Sequence, residues 1–178
     1  REFLTERSRK ILGMVDRASK IISHLRNFGR RSELSFTCIN PNEPVENALE
    51  LFKEKCRLHS IELAIDLTST EEQVKGDPNK LEQVYINMIA NAYDAIEEAR
   101  QDFPDKQFKI QVTSRADPAE QQFVVSVSNN GPPIPEDVQA SIFEAFFTTK
   151  VAGKGTGLGL SISSGIVDSH RGKIQLVS

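Results

Sequence analysis

The segment from Gly153 to Gly159 limits the possible folds more than any other part of this sequence. Glycine occupies four alternate positions in it, and a helical apolar pattern follows from about Leu158 to His170. Backbone N–H groups that no side chain obstructs, placed at the start of a helix, form a binding site for phosphate. The segment lacks the Gly-Lys-Ser/Thr ending of a P-loop, and no apolar strand precedes it as in a dinucleotide-binding turn. Alone, it indicates either such an anion-binding loop or a flexible hinge.

A second polar pattern lies within an apolar helix that is predicted to begin near Asp77 and Pro78. Asp77 can cap the first turn, and proline suits the first helical position. Asn87 and Asn91 are four residues apart and share one helix face, with Asp94 three residues further on. Amide oxygens are ligands that Mg²⁺ accepts, usually together with substrate phosphates. Without other information, these side chains could instead bond to neighbouring backbone groups or face solvent.

Two further segments lie between this helix and the glycine-rich loop. Residues 129–135 form a Gly/Pro-rich turn after a strand, where a polar side chain could bond to a purine edge while Ile134 packs against the ring. Residues 142–150 combine three phenylalanines with a Thr-Thr-Lys sequence. On its own, the first segment is only a turn, and the second is most simply explained by core packing.

The remaining patterns predict an α+β fold. A helix begins at Val45, and residues 61–67 alternate between apolar and polar as a half-buried strand does. Residues 108–112, 123–127 and 173–178 are predicted to be further strands. Helices mixed with mostly antiparallel strands predict a two-layer α/β sandwich, with one sheet and helices on one of its faces.

The first 33 residues predict a long helix that belongs to a bundle. Apolar residues recur at both seam positions of a heptad: Leu4, Ile11, Met14, Ala18, Ile21, Leu25 and Phe28. Such a seam favours a dimeric bundle over a helix packed on its own domain. We therefore divide the chain into residues 1–33 and a second domain of residues 34–178, joined by a linker or short strand within residues 32–44.

Composition argues against several kinds of function. The net charge of −3 gives no basic surface for nucleic acid. No apolar run reaches the roughly 18 residues of a membrane span, so no membrane contact is expected. Cys38 and Cys56 lack the spacing of a metal site, and we expect reduced thiols in a cytoplasmic protein. A longer parent protein could still be membrane-anchored.

Together, the four polar segments resemble the nucleotide-binding boxes of the GHKL ATPase superfamily, and specifically those of sensor histidine kinases. Residues 87–95 match the N box, 129–134 the G1 box, 143–150 the F box and 153–162 the G2 box. This F box, combined with this G2 box, separates histidine kinases from the chaperone and mismatch-repair relatives. The resemblance covers about residues 41–178 and implies the Bergerat-type ATP-binding fold of that superfamily.

The resemblance also implies ATP and Mg²⁺ as ligands. Asn91 would coordinate Mg²⁺ between the phosphates, with Asn87 and Asp94 close by. Asn129 would contact the adenine amino group, and Gly131 would leave room for the base. Residues 148–156 would form a mobile lid. The other residues implied to contact the nucleotide are Ile134, Thr149, Lys150, Lys154, Gly155, Thr156, Gly157, Leu158 and Gly159, the two lysines through the phosphates.

The sequence departs from the family pattern in two respects. The G1 box usually begins with aspartate, where Asn129 stands here, and Pro133 replaces its second glycine. Asparagine keeps an oxygen acceptor but loses the charge, so we expect adenine binding weaker by ~1–3 kcal/mol. The second departure is the missing phosphate-accepting histidine. His24 lies on what resembles the second helix of the dimerisation hairpin, so the acceptor is expected before Arg1, and the chain is expected to be a fragment at both ends.

The implied function is the catalytic domain of a two-component sensor histidine kinase. It would transfer the γ-phosphate of ATP to a histidine outside this chain and thence to a response-regulator receiver domain. The chain would form a homodimer through its first helix. One alternative is a degenerate pseudokinase that dimerises and signals without ATP turnover. Another is an ATP-hydrolysing clamp, although Glu82 precedes Asn87 by five residues and is not at the position of a general base.

Overall fold

The computed structural model describes residues 35–69, 73–150 and 155–177. The predicted bundle helix, with His24 and the heptad seam, therefore lies outside the described residues. Lys154 lies outside them as well. Within the described parts the elements are, in order, β1 (Thr37–Ile39), α1 (Glu43–Leu58), β2 (Ile61–Leu67), β3 (Val74–Gly76), α2 (Pro78–Ala99), β4 (Phe108–Asp117), β5 (Gln122–Asn129), α3 (Glu136–Gln139) and α4 (Gly159–Ser169).

The strands form two sheets among the described residues, not the single sheet predicted. β2, β4 and β5 make a three-stranded sheet in which β2 is parallel to β4 and β4 is antiparallel to β5. β1 and β3 form a separate antiparallel ribbon. The parallel pair arises because the chain crosses from β2 to β4 through a helix, and such a crossover returns the chain in the same direction. The α+β class is confirmed.

One predicted strand is wrong. Residues 173–177 have no strand assignment, although their sequence alternates in the manner of a strand. Alternation describes a surface that suits pleated pairing, but a strand forms only where a neighbouring strand supplies hydrogen bonds. In the described part of the chain, no strand pairs with these residues.

The core lies between the three-stranded sheet and the helices α1 and α2. α1 buries residues at intervals of three and four, which place them along one face: Val45, Ala48, Leu49, Phe52 and Cys56. From α2, Ile89 and Ile96 are fully buried, and from β4, Ile110 and Val112 are fully buried. Because the apolar face of α2 packs in this core, the polar face of the helix is directed away from it.

The cysteines differ sharply in exposure, and this gives a test of the core. Cys38 is exposed, whereas Cys56 is buried, and burial raises the pKa of the Cys56 thiol despite the nearby charge of Lys55. Because the thiolate is the reactive form, iodoacetamide at pH 8 is expected to label Cys38 alone in the folded protein. Both cysteines should react in denaturant, as peptide masses will show. Equal labelling of both thiols in the folded chain would contradict this packing.

Candidate functional site

Asn87, Asn91 and Asp94 lie along one face of α2, as predicted from their spacing. All three are partly buried. The opposite face packs into the core through buried residues, which are Val84, Ile89, Ala92, Tyr93 and Ile96. The core therefore fixes the rotation of the helix and holds the three polar side chains on the side of α4 and of the segment that precedes it.

Asn87 joins α2 to the start of α4. Its Nδ2 donates to the backbone oxygen of Gly159 and to Ser163 Oγ, each at 3.1 Å. The Ser163 hydroxyl is fully buried and itself donates to the Gly159 oxygen at 2.9 Å. The Asn87 amide group therefore holds the glycine-rich helix start against α2. Sequence reasoning missed Ser163, which sits among other small residues of α4 without a distinguishing pattern.

Lys150 reaches the other two polar residues of α2. Its Nζ lies 2.6 Å from Asp94 Oδ2 and 3.4 Å from Asn91 Oδ1. The Lys150 side chain is mostly buried, whereas Asp94 is more exposed, at 41%. The carbonyl oxygen of Asn91 and the carboxylate of Asp94 thus converge on a cation. Oxygen atoms of this kind are also ligands that Mg²⁺ accepts.

The segment that carries Lys150 packs directly on the glycine-rich loop. The Phe146 N–H donates to the Gly157 oxygen at 2.8 Å. Gly157 has a φ of +66°, and a Cβ there would lie 2.6 Å from the Phe146 carbonyl oxygen. A Cβ on Gly155 would collide with the Thr148 hydroxyl. Glycine is needed at position 157 both for its backbone conformation and for this close contact.

The phenylalanines of this segment do not form a core. Phe146 is 64% exposed and adopts a positive φ of 70°, while Phe143 and Phe147 are only partly buried. The core-packing interpretation is therefore wrong. An exposed aromatic residue in a rarely populated backbone conformation is typical of functional loops.

The turn after β5 lies against the second half of α2. Asn129 Oδ1 accepts a hydrogen bond from the Gly131 N–H at 2.8 Å, which closes the turn. A Cβ on Gly131 would lie 3.7 Å from Ile96 Cγ1 of α2. Asn130 fixes the strand end, because its side chain accepts from the Lys109 N–H and donates to the Gln107 oxygen. The turn therefore stands near the helix end that carries Asp94.

The remaining predicted contacts differ in their surroundings. Leu158 is buried at the start of α4, so its side chain packs inside the domain. Thr156 Oγ1 accepts from the Leu158 N–H at 3.4 Å, Thr149 is exposed, and Ile134 is partly buried. A groove of about 390 Å³ between α1 and β2 contains none of the predicted site residues.

Most of these groups lie within residues 76–178, which match the family model described as histidine kinase-, DNA gyrase B- and HSP90-like ATPase. The chain belongs to this ATPase family. Its α2 face, turn after β5 and glycine-rich loop are the parts of the domain that the sequence linked to nucleotide binding. Among the described residues of this ATPase domain, no helix has both the length and the apolar character to cross a membrane.

Curated relatives of the ATPase domain are sensor kinases. The two-component sensor PprA of Pseudomonas aeruginosa is 34% identical over 97% of this chain, which covers 18% of PprA. The sensor histidine kinase ZraS of Salmonella typhimurium is 29% identical over 92% of this chain, which covers 33% of ZraS. The chain therefore spans about a fifth to a third of these relatives, whose names confirm the resemblance to sensor histidine kinases.

Solved structures agree with the fold of the ATPase domain. The nucleotide-free catalytic domain of histidine kinase ThkA has a TM-score of 0.64 and 37% identity, over 76% of this chain and 82% of that chain. ThkA in complex with the response regulator TrrA has a TM-score of 0.69 and 31% identity, over 91% and 43%. Full-length ShkA in complex with AMPPNP has a TM-score of 0.67 and 26% identity, over 84% and 29%.

Proposed function

We propose that this domain binds Mg-ATP and donates the γ-phosphate to a histidine of a two-component sensor kinase, from which a response regulator receives it. The observation that carries the proposal is the polar face of α2, held by Asn87 against the glycine-rich start of α4. This arrangement places cation-binding oxygens beside a helix start that suits phosphate. Membership of the ATPase family supports ATP as the nucleotide.

Asn91 is the proposed magnesium ligand. Its Oδ1 and the Asp94 carboxylate already share a cation, the Lys150 ammonium group, so their chemistry fits a hard metal ion. When bound, Mg²⁺ would neutralise phosphate charge and hold the phosphates in one geometry. Lys150 would then leave Asp94 and bond to a phosphate oxygen. Its long side chain allows this exchange without movement of α2.

The phosphates would lie at the start of α4. The backbone N–H groups near Gly157 and Gly159 and the helix dipole attract negative charge there. Thr149, Thr156 and Lys154 are further proposed contacts from the lid. Catalysis would come mainly from positioning and from stabilisation of charge on the γ-phosphate, since phosphoryl transfer asks little covalent chemistry of the protein.

The partners and location are proposed on the same basis. Histidine kinase ThkA has been solved in complex with a response regulator, and 91% of this chain matches that structure. We propose a response-regulator receiver domain as a partner here as well, and a homodimer formed through residues 1–33. A domain that uses ATP in this way would work in the cytoplasm, even if its parent protein is membrane-anchored.

Titration calorimetry of the 178-residue chain with Mg-ATP tests the proposal. We expect a dissociation constant between about 10 μM and 1 mM, the range of ordinary substrate affinities. Removal of Mg²⁺ by EDTA should weaken binding strongly. If millimolar Mg-ATP gives no heat, the proposal fails, and the pseudokinase that signals without ATP turnover becomes the better explanation. The substitutions at Asn129 and Pro133 favour that alternative, whereas the arrangement of α2, α4 and Lys150 opposes it.

Asn129 gives a prediction about base recognition. Its Oδ1 already accepts from the Gly131 N–H, and the other polar atom of the side chain, Nδ2, is a donor. A donor cannot bond to the amino group of adenine, whereas a second carboxylate oxygen could. Asn129→Asp is therefore expected to tighten Mg-ATP binding about tenfold, or ~1.4 kcal/mol, in calorimetric titrations.

Inosine triphosphate is the matched probe for this prediction. Its base carries an oxygen where adenine carries the amino group, and that oxygen accepts from Nδ2. The same substitution should therefore weaken binding of Mg-ITP while it tightens binding of Mg-ATP. Equal changes for both nucleotides would show that Asn129 does not face the base.

A further inference from the structure

His170, at the carboxyl end of α4, uses both ring nitrogens in hydrogen bonds to the backbone. Nδ1 lies 2.8 Å from the Ile166 oxygen, and Nε2 lies 2.9 Å from the Asp77 backbone nitrogen. A carbonyl oxygen only accepts and a backbone N–H only donates. The ring is therefore neutral in this arrangement, with its proton on Nδ1 and an acceptor at Nε2. This tautomer joins the end of α4 to the residue that caps α2.

The Asp77 side chain forms two further hydrogen bonds. Its Oδ1 accepts from the Lys80 N–H at 3.2 Å and caps α2, while its Oδ2 accepts from the Ser35 N–H at 3.1 Å. The Asp77 side chain is buried, so these bonds are shielded from water. The ring of Phe36 lies 4.9 Å from that of His170. Ser35 and Phe36, which we call the leading segment, thus contact both Asp77 and His170.

The Asp77–His170 contact is the second of two joints between α2 and α4. The first is the bond from Asn87 to the Gly159 oxygen. At 1.5 Å per residue, the joints are about 15 Å apart along α2 and about 16 Å apart along α4. Low residue numbers on one helix meet high numbers on the other, so the helices run antiparallel. Two joints at matching spacing fix the angle between the helices as well as their distance.

We propose that His170 is a positioning residue that couples the leading segment to the nucleotide site. A displacement of the leading segment acts on Asp77 and on the His170 ring together. Loss of the Nε2 bond frees one end of α4, and α4 then tilts about the Asn87 joint. The tilt changes the direction in which the backbone N–H groups at the start of α4 point relative to Asn91. The coupling rests on the proposed function, because its effect is measured by nucleotide binding. The hydrogen bond between His170 and Asp77 can be tested without nucleotide.

Two substitutions separate the roles of the ring nitrogens. In His170→Asn, the side-chain amide nitrogen stands near the place of Nδ1 and keeps the bond to Ile166, but nothing reaches Asp77. In His170→Gln, the longer side chain carries an oxygen to the place of Nε2, where it accepts from the Asp77 N–H. His59→Asn is the matched control, because His59 lies at the end of α1 and contacts Glu97 instead.

Amide hydrogen exchange and calorimetry provide the readouts. His170→Asn is expected to speed exchange at Asp77 and to weaken Mg-ATP binding, each about tenfold, as for one lost hydrogen bond. His170→Gln and His59→Asn should stay within about twofold of the native chain. If the leading segment affects nucleotide binding, bound nucleotide must affect the leading segment to the same extent. Mg-ATP should therefore slow amide exchange at Ser35 in the native chain but not in His170→Asn.

Several results would overturn the coupling. Equal effects of His170→Asn and His170→Gln would assign the role to ring volume and not to the acceptor at Nε2. If His170→Asn lowers the unfolding temperature but leaves the Mg-ATP affinity unchanged, the hydrogen bond contributes to stability and not to nucleotide binding. If His170→Asn does not fold, Phe36→Leu takes its place. It keeps both His170 bonds and the bond from Ser35 to Asp77 but changes the ring contact with His170, so it should reduce the nucleotide-dependent protection of Ser35. Undiminished protection would contradict the coupling.

The failure of the proposed function is distinguishable from the failure of this inference. If the native chain does not bind Mg-ATP, the proposed function fails. Exchange at Asp77 and Ser35 without nucleotide then still decides the joint, because faster exchange in His170→Asn and its rescue in His170→Gln require only the hydrogen bond. Exchange at Asp77 that is the same in all variants overturns the joint itself.

Discussion

Replacement of Asn91 by alanine is expected to weaken Mg-ATP binding roughly a hundredfold, or ~2.7 kcal/mol. The substitution removes the oxygen that, with Asp94, attracts the Lys150 ammonium group in this structure and that is the proposed magnesium ligand. Without it, the charge on the phosphates is left poorly compensated. Calorimetric titration with Mg-ATP and with ATP in EDTA measures the effect, and the residual binding of the variant should no longer depend on Mg²⁺.

Asn47→Ala is the control for this experiment. Asn47 is an exposed asparagine on α1, and its side-chain Nδ2 lies 3.4 Å from Glu82 Oε2. Its replacement should leave the affinity unchanged. Native affinity in Asn91→Ala, with Mg²⁺ dependence intact, would place the metal site elsewhere and would contradict the assignment of the α2 face.

Gly157→Ala is expected to destabilise the fold by about 1–3 kcal/mol and to weaken Mg-ATP binding at least about tenfold. The backbone at Gly157 has a φ of +66°, which side chains other than glycine rarely adopt. The added Cβ would also lie 2.6 Å from the Phe146 carbonyl oxygen and 2.7 Å from that of Phe147. The loop must then separate from the segment that carries Lys150. Urea unfolding and calorimetry measure the two effects.

The same substitution at Gly165 provides a matched control. Gly165 lies within α4, is exposed, and a Cβ there meets nothing within 4 Å. Because alanine favours helix over glycine, Gly165→Ala should stabilise the protein by ~0.5–1 kcal/mol and leave nucleotide affinity unchanged. If the two variants behave alike, the loop does not require glycine at position 157, and its contact with Phe146 is unimportant.

The helices and β2 could be predicted because their signals are local. The apolar spacing of α1, the alternation of residues 61–67 and the cap at Asp77 all lie within short stretches of sequence. β3 has only three residues and exists because it pairs with β1 across a long separation. No local pattern marks such a strand. The error at residues 173–177 has the same origin, since alternation alone does not supply a pairing partner.

The candidate site shows the same division. The shared face of Asn87, Asn91 and Asp94 follows from helical geometry and could be predicted. What each side chain contacts could not, because those contacts cross long stretches of chain. Lys150 meets Asp94 across 56 residues, and Asn87 meets Gly159 across 72. A resemblance to family motifs groups such residues, but it does not show that Asn87 holds a helix start while Asn91 contacts the ammonium group of Lys150.

The parallel pairing of β2 with β4 has a consequence for the order in which the chain folds. Ile61 lies beside Phe108, and the whole of α2 stands between them in sequence. Closure of so long a loop is entropically costly, so the sheet gains its central pairing only as α2 packs beneath it. In a ribosome-bound chain that ends before β4, both edges of β2 are therefore unpaired and the core residues of α1 lack their contacts with β4. Such a nascent chain is a good substrate for chaperones, and its folding rate should respond more to changes in α2 than in the terminal residues.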